Sequence, residues 1–176
     1  MIEVLVTLVV MAFGLLGLAG LQMRLQVSEL ESYQRSQALL LLGDMANRIS
    51  VNRTATAAGA YLVAATAPLG AGVSCPTTST TQAQRDLKEW CEGLQGAGEI
   101  QGANTKVGAM VGGRGCVEAV GGDYLVTVAW QGFTPIAAPP ASVACGAGSY
   151  NAGAGAACIN DLCRRAVTTI VRIAKL

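Results

Sequence analysis

A run of twenty residues without a charged side chain, from Val4 to Met23, constrains this chain more than any other feature of its sequence. Thr7 and Gln22 are the polar members of the run. About twenty consecutive apolar residues are the length that one helix needs to cross the hydrocarbon core of a bilayer. We therefore expect a membrane-spanning helix over residues 1–25.

A carboxylate, Glu3, lies directly before this run. An ionisable group inside or beside a membrane segment is energetically costly, and it is a functional hypothesis by default. Two interpretations are open. Glu3 lies at the level of the lipid headgroups and has no further role, or a nearby positive charge neutralises it.

Three glycines, Gly14, Gly17 and Gly20, interrupt the apolar run. Small residues allow a neighbouring helix to approach closely. Each glycine also weakens a helix by about 1 kcal/mol relative to alanine. Close packing against another helix and a segment that can unwind are therefore both open interpretations.

The helical pattern continues from residue 26 to residue 53. This stretch contains no proline, and its apolar residues recur at helical spacing, at Ala38, Leu42, Met45 and Ile49, with Leu39 and Ala46 beside them. Polar residues occupy the other face, which we expect to contact solvent: Glu31, Arg35, Asp44, Asn47 and Arg48. Residues 26–53 are thus predicted to be an amphipathic continuation, giving one helix of about fifty residues and about 75 Å.

Residues 54–176 predict a single α+β head domain with a thin core, because the chain has 22 glycines and only 5% aromatic residues. Residues 54–80 read as a loop. Thr81 and Gln84 form a capping-box pattern that begins a second helix. The remainder predicts a small antiparallel sheet. Its strands are a short one at 105–111, a hairpin over 116–132 and a last strand at 166–174 that pairs with Tyr124–Gln131.

Six cysteines follow the apolar run, and their even number predicts disulfide bonds in an oxidising compartment. They are Cys75, Cys91, Cys116, Cys145, Cys158 and Cys163. Six cysteines allow fifteen pairings, so the connectivity is open. A bond between Cys75 and Cys91 is favoured, because these residues flank the start and the body of the second helix.

Charge gives a conflicting signal about topology. Arg24, Arg35, Arg48 and Arg53 follow the apolar run, and no basic residue precedes it, so a simple positive-inside count places the head in the cytoplasm. Large domains translocate largely regardless of charge. We therefore follow the cysteines and expect the head on the oxidising side of the membrane.

Residues suited to catalysis or metal binding are few. The chain has no histidine, and its carboxylates are scattered. Asp86 and Glu89, spaced i,i+3 on the second helix, read as a solvated face. Cys158 and Cys163 have a tolerable spacing for half a zinc site but lack a partner pair. We expect no metal, no cofactor and no enzymatic activity.

Two further motifs have simple interpretations. Arg114, in "GGRGC", lacks the lysine and the strand–loop–helix context of a phosphate-binding loop, and it reads as a solvated turn residue. Asn52 begins a glycosylation sequon that reads as chance at a helix end. A net charge of +1 gives no electrostatic footprint for nucleic acid.

The segment "IEVLVTLVVMAFGLLGLAGLQ" resembles the N-terminus of the type IV pilin superfamily. Members share a segment of the kind Gly-Phe-Thr-Leu-Ile-Glu, cleaved after the glycine and followed by about twenty apolar residues. Ile2 and Glu3 match its last two positions, and Val4 and Leu5 begin the apolar run. The stalk "YQRSQALLLLGDMANRISVNR" is similar to the minor pilins called type IV pilus modification protein PilV, as are "DLKEWCEGLQGAGE" and "TVAWQG".

The resemblance implies a pilin-like fold and a structural role as a minor pilin, a priming or tip-proximal subunit in type IV pilus assembly. The implied partners are other minor and major pilins, through the N-terminal helix, and the inner-membrane assembly machinery. The implied location is the inner membrane, by a single pass with a periplasmic head, and then the extracellular pilus. Glu3 matches the carboxylate that is thought to meet the N-terminal amine of a neighbouring subunit.

The sequence departs from the family pattern at its start, since the basic leader, the cleavage glycine and the phenylalanine do not precede Ile2. We expect either a start assigned too far downstream or a trimmed chain. Methylation of the terminus is implied by the resemblance only.

Two alternatives to the minor pilin remain. A pseudopilin of a type II secretion system shares the same helix. A membrane-anchored periplasmic binding protein or enzyme would require a polar pocket with a convergent titratable group.

Overall fold

The computed structural model describes residues 2–98, 100–101, 105–106, 108, 110–153 and 155–173. The chain forms two compact units, residues 1–33 and residues 34–176. The elements in chain order are α1 (Ile2–Val51), α2 (Arg53–Ala57), β1 (Leu69–Gly70), α3 (Gln82–Leu94), β2 (Ile100–Gln101), β3 (Thr105–Lys106), β4 (Arg114–Val120), β5 (Asp123–Gln131) and β6 (Arg164–Val171).

The first unit is the N-terminal part of helix α1. Every side chain from Ile2 to Leu30 is exposed. By length and composition, α1 is long and apolar enough to cross a membrane. The predicted apolar helix is therefore present, and it is a possible membrane anchor.

In the second unit, α1 buries one face. Its buried residues are Gln34, Ala38, Leu42, Met45 and Ile49, which include the four apolar positions predicted at helical spacing. Leu39, expected beside this face, is instead about half exposed. The helix ends at Val51 rather than Arg53. The short helix α2 follows it, so the predicted loop 54–80 was wrong over residues 54–57.

A four-stranded antiparallel sheet forms the other layer, in the order β1-β4-β5-β6. The predicted hairpin is β4–β5, and its turn places Gly121 and Gly122 at positive φ, which glycine adopts at no steric cost. The predicted pairing of the last strand with β5 is present, from Tyr124↔Val171 to Gln131↔Arg164. The predicted loop 54–80 was wrong at β1, which pairs with β4.

The strand expected at 105–111 is present at Thr105–Lys106, which pairs with β2 in a separate two-stranded sheet. The prediction was wrong at Gly108, Met110 and Val111, which belong to no strand. Its positions 107 and 109 lie outside the described residues.

Helix α3 begins with the predicted capping box, in which Thr81 and Gln84 bond each other's backbone. It packs on β4, where Gly115 leaves room for the buried ring of Trp90. A Cβ at Gly115 would lie 2.3 Å from that ring. The Trp90 indole N–H donates to the Leu41 carbonyl at 2.9 Å, which ties α3 to α1. Trp90, Tyr61, Met45, Val117 and Val126 are among the core residues.

Three disulfide bonds cross-link the second unit. Cys75–Cys91 joins the loop before α3 to that helix, as the sequence favoured. Cys116–Cys145 ties β4 to the long segment between β5 and β6. Cys158–Cys163 closes a short loop directly before β6. The predicted α+β layout, with an apolar N-terminal helix and a disulfide-bonded sheet, is therefore present.

Candidate functional site

The first candidate site is the apolar surface of α1 in the first unit. It includes the predicted positions Ile2, Val4, Leu5, Gly14, Gly17 and Gly20, all of them exposed. Phe13 is 71% exposed, which is characteristic of the whole run. A Cβ at any of the three glycines would meet no atom within 4 Å. A continuous apolar surface of this length requires lipid or protein to cover it.

Glu3 lies in the first turn of this helix. Within residues 2–33, the nearest basic side chain along the chain is Arg24. The separation of 21 residues corresponds to about 31 Å along the helix axis. No basic side chain of the described first unit can therefore form an ion pair with Glu3.

The second candidate site is a cluster of charges around Arg48, within the second unit. The Arg48 guanidinium donates to Asp44 at 2.9 Å, to Asp86 at 2.9 Å and to Glu89 at 2.7 Å. Burial opposes its charge, but the hydrogen bonds to Glu89 and Asp44 outweigh that effect, and the pKa of Arg48 is raised. The cluster fixes the end of α1 against α3.

Asp86 is the buried member of this cluster, with 4% of its surface exposed. Its carboxylate accepts hydrogen bonds from Arg48, from Gln82 at 2.8 Å and from the Tyr61 hydroxyl. The Tyr61 hydroxyl also accepts from the Asn52 side chain at 3.0 Å. Burial, with the hydrogen bond to Asp86, raises the pKa of Tyr61 to about 12.

A concave pocket of about 310 Å³ lies beside the cluster. Its lining residues are Asn47, Arg48, Val51, Asn52, Gln82 and Asp86. The polar groups of Asp86, Asn52 and Arg48 are already bonded to other side chains. The arrangement supports a structural ion-pair network better than a binding site with groups directed at a ligand.

The interpretation of Asp86 as part of a solvated face was wrong. Arg48, expected to contact solvent, bonds Asp86 and Glu89 of α3. Glu89 itself is 58% exposed, so the solvated interpretation holds for that residue. A sequence signal that could have identified the buried carboxylate is its position one turn before Trp90, on the apolar face of α3.

Arg114 is also not a solvated turn residue. It begins β4, and its guanidinium stacks on the Tyr150 ring at 5.1 Å from the centroid. Asn52, in the sequon, is partly buried and bonded to Tyr61.

Among the described residues, no group of three or more histidine, cysteine or acidic side chains could hold a metal ion. Asp44, Asp86 and Glu89 converge on a guanidinium. Cys158 and Cys163, considered as half a zinc site, bond each other.

Comparison with protein-family models, with curated proteins and with solved structures finds no match to this chain.

Proposed function

We propose that this chain is a minor pilin of the PilV-like kind, a priming or tip-proximal subunit of a type IV pilus. The observation that carries the proposal is the exposed, uncharged helical surface from Val4 to Met23, preceded by Glu3 and continuous in one helix with a disulfide-bonded α+β unit. The resemblance of Ile2 and Glu3 to the pilin N-terminal motif supports the same conclusion.

The apolar surface suits two environments in succession. In the inner membrane, lipid covers it, and Glu3 lies at the edge of the hydrocarbon. In a filament, the helices of neighbouring pilins cover it instead. Because Phe13 and the residues around it are exposed on all sides of the helix, the surface is suited to contact with several neighbours at once.

In the assembled filament, a positive charge of a neighbouring subunit would neutralise the carboxylate of Glu3. Among residues 2–33, no basic side chain lies within about 31 Å of it along the helix. In a filament core the carboxylate would be enclosed, and the terminal amine of a neighbouring subunit would offset its desolvation. Removing one member of a buried ion pair costs on the order of 3–5 kcal/mol.

The disulfides are consistent with a head domain that is first in the periplasm and then, after assembly, outside the cell. Three disulfides within one small domain are characteristic of an oxidising compartment. The partners we propose are other minor and major pilins and the inner-membrane assembly machinery.

The test is Glu3→Ala, in a chain expressed with a prepilin leader in frame upstream. Removing an acidic group does not hinder membrane insertion. We expect normal amounts of the variant in the inner membrane and little in sheared surface filaments. Glu29→Ala is the matched control, because Glu29 is exposed on the same helix but lies outside the apolar run. Equal incorporation of Glu3→Ala and wild type would contradict the docking role.

A further inference from the structure

The two sides of the four-stranded sheet differ in whether the outer long strand is covered by other backbone. The β4 edge is covered by β1, at Leu69 and Gly70, and by a bridge between Val63 and Val117. The β6 edge is eight residues long and terminates the strand order. No described strand pairs with it.

The register identifies the backbone groups that point outward from β6. The Gly132 N–H donates to the Cys163 carbonyl at 2.8 Å, so that pair is a hydrogen-bonded one. Bonded and non-bonded pairs alternate along an antiparallel ladder. Ala166, Thr168 and Ile170 therefore direct their N–H and C=O groups away from β5. Among the described residues, none of these groups has a hydrogen-bond partner.

After its first two residues, β6 lacks the usual protections of an edge strand. Natural edges carry lysines, prolines, bulges or very short strands. From Ala166 to Val171 the strand has neither a charge nor a proline, and most of its residues are β-branched. Thr168 is exposed, and Ile170 is 57% exposed on the sheet face opposite the core. An added strand would thus gain backbone hydrogen bonds and an apolar neighbour.

We propose that the β6 edge is a docking site for an extended segment of a different protein chain, which adds as a strand and carries an acidic side chain near Arg172. Strand addition of this kind takes its affinity from main-chain hydrogen bonds and its specificity from alternate side chains. Arg172 is 84% exposed, at the end of the open edge. Its contact with Asp123, at 3.6 Å, is long for an ion pair.

Charge also favours a foreign strand over a second copy. A second copy that pairs through its own β6 brings no carboxylate to Arg172, because the strand Arg164–Val171 contains none. Paired antiparallel about Thr168, it would place opposite Arg172 the buried Arg164, which Asp161 already neutralises at 3.1 Å. A strand with a glutamate in that position supplies the opposite charge across the ladder, which is favourable. The inference concerns the second unit alone, and it does not depend on the filament proposal.

The experiment uses the full chain in detergent micelles with its disulfides intact. The probes are two fluorescent nine-residue peptides of alternating threonine and valine, one with two glutamates and one with two lysines at the same positions. Fluorescence anisotropy measures binding at low salt. We expect the acidic peptide to bind at least about fivefold more tightly than the basic one.

Two variants and one control test the backbone and the charge separately. Thr168→Pro removes an outward N–H, a change that edge strands tolerate, and it should weaken binding of the acidic peptide at least about tenfold. Thr168→Ala keeps the N–H and should bind as wild type. Arg172→Glu lies beyond the paired ladder, and it should reverse the preference between the two peptides.

Several results would overturn the proposal. Equal binding of the two peptides to wild type would exclude the charge preference. Unchanged binding by Thr168→Pro would exclude the edge. Self-association of the chain that Thr168→Pro abolishes, without peptide binding, would make a second copy the occupant.

Discussion

Asp86 and Glu89 both bond the same nitrogen of Arg48, yet they differ sharply in exposure. Asp86 is 4% exposed, and Glu89 has 58% of its side chain exposed. Asp86→Ala leaves Tyr61 and Arg48 without a buried partner, and we expect a loss of about 3–5 kcal/mol in the free energy of unfolding. Glu89→Ala is the matched control, with an expected loss of at most about 1 kcal/mol. Urea denaturation measures both, and equal losses would contradict a role for burial.

Tyr61 makes the stability of the second unit depend on pH in the alkaline range. Its pKa is raised to about 12 in the folded protein, from 10.0. Below pH 10 the hydroxyl is neutral whether the chain is folded or unfolded, so the stability is fully present. Between pH 10 and 12 the unfolded chain releases the proton more readily, and stability falls as pH rises.

Tyr61→Phe removes this dependence. We expect the variant to be less stable at neutral pH, because Asp86 loses a donor, and to lose less stability than wild type between pH 10 and 12. Thermal melts at successive pH values give both curves. Tyr150, whose pKa burial also raises, leaves a residual slope in the variant. If the melting temperatures of wild type and Tyr61→Phe fell equally between pH 10 and 12, the pH dependence could not be assigned to Tyr61.

Sequence reasoning could not identify these residues as partners. Asp86 and Glu89 look alike at i,i+3 on a helix, and Arg48 is 38 residues away from Asp86. The position of Asp86 one turn before Trp90 places it on the apolar face of α3, but that local signal does not identify its partners. The partners are set by the packing of α3 against α1, which depends on the tertiary structure.

The packing of α3 on β4 depends on Gly115. A Cβ there would lie 2.3 Å from the Trp90 ring and 2.7 Å from the Leu94 side chain, and both side chains are fully buried. We expect Gly115→Ala to destabilise the protein by about 1–3 kcal/mol or more through overpacking. Gly43→Ala is the control in helix α1, where a Cβ meets no atom within 4 Å. We expect Gly43→Ala to raise the free energy of unfolding by up to about 1 kcal/mol. Destabilisation by both would contradict this packing.

Local patterns predicted most of the larger elements. The period of Ala38, Leu42, Met45 and Ile49 gave the buried face of α1, and Thr81 with Gln84 gave the start of α3. The Gly-Gly turn gave the β4–β5 hairpin. Strand β1 was missed, because two residues carry no period and pair only through β4. The apolar surface of α1 could be predicted from the sequence because its residues are contiguous in the chain. The residues of the Arg48 cluster are far apart in the chain, so that cluster could not be predicted.

The three disulfides should contribute unequally to the stability of the molecule. Closing a loop restricts the unfolded chain more when the loop is longer. The sequence separations are 29 for Cys116–Cys145, 16 for Cys75–Cys91 and 5 for Cys158–Cys163. The loop-entropy relation gives about 3.6, 3.1 and 2.1 kcal/mol respectively.

Paired cysteine-to-serine variants, one disulfide at a time, check this order by thermal denaturation of oxidised protein. We expect the lowest melting temperature without Cys116–Cys145, whose two residues are also fully buried. The variant without Cys158–Cys163 is the internal control, with the smallest change. A reversed order would show that local strain or packing outweighs loop closure.

The central proposal about the whole molecule is that the apolar surface of α1 leaves the lipid and packs among the helices of pilins. A photo-crosslinking residue at Phe13, which is 71% exposed, tests it most directly. The chain is expressed with an upstream prepilin leader, in wild-type and Glu3→Ala backgrounds, and sheared filaments and membranes are irradiated separately. The account predicts covalent adducts to other pilins in the wild-type filament fraction and their loss in the Glu3→Ala background. Filaments that contain the protein without such adducts, or a protein that never leaves the membrane fraction, would contradict it.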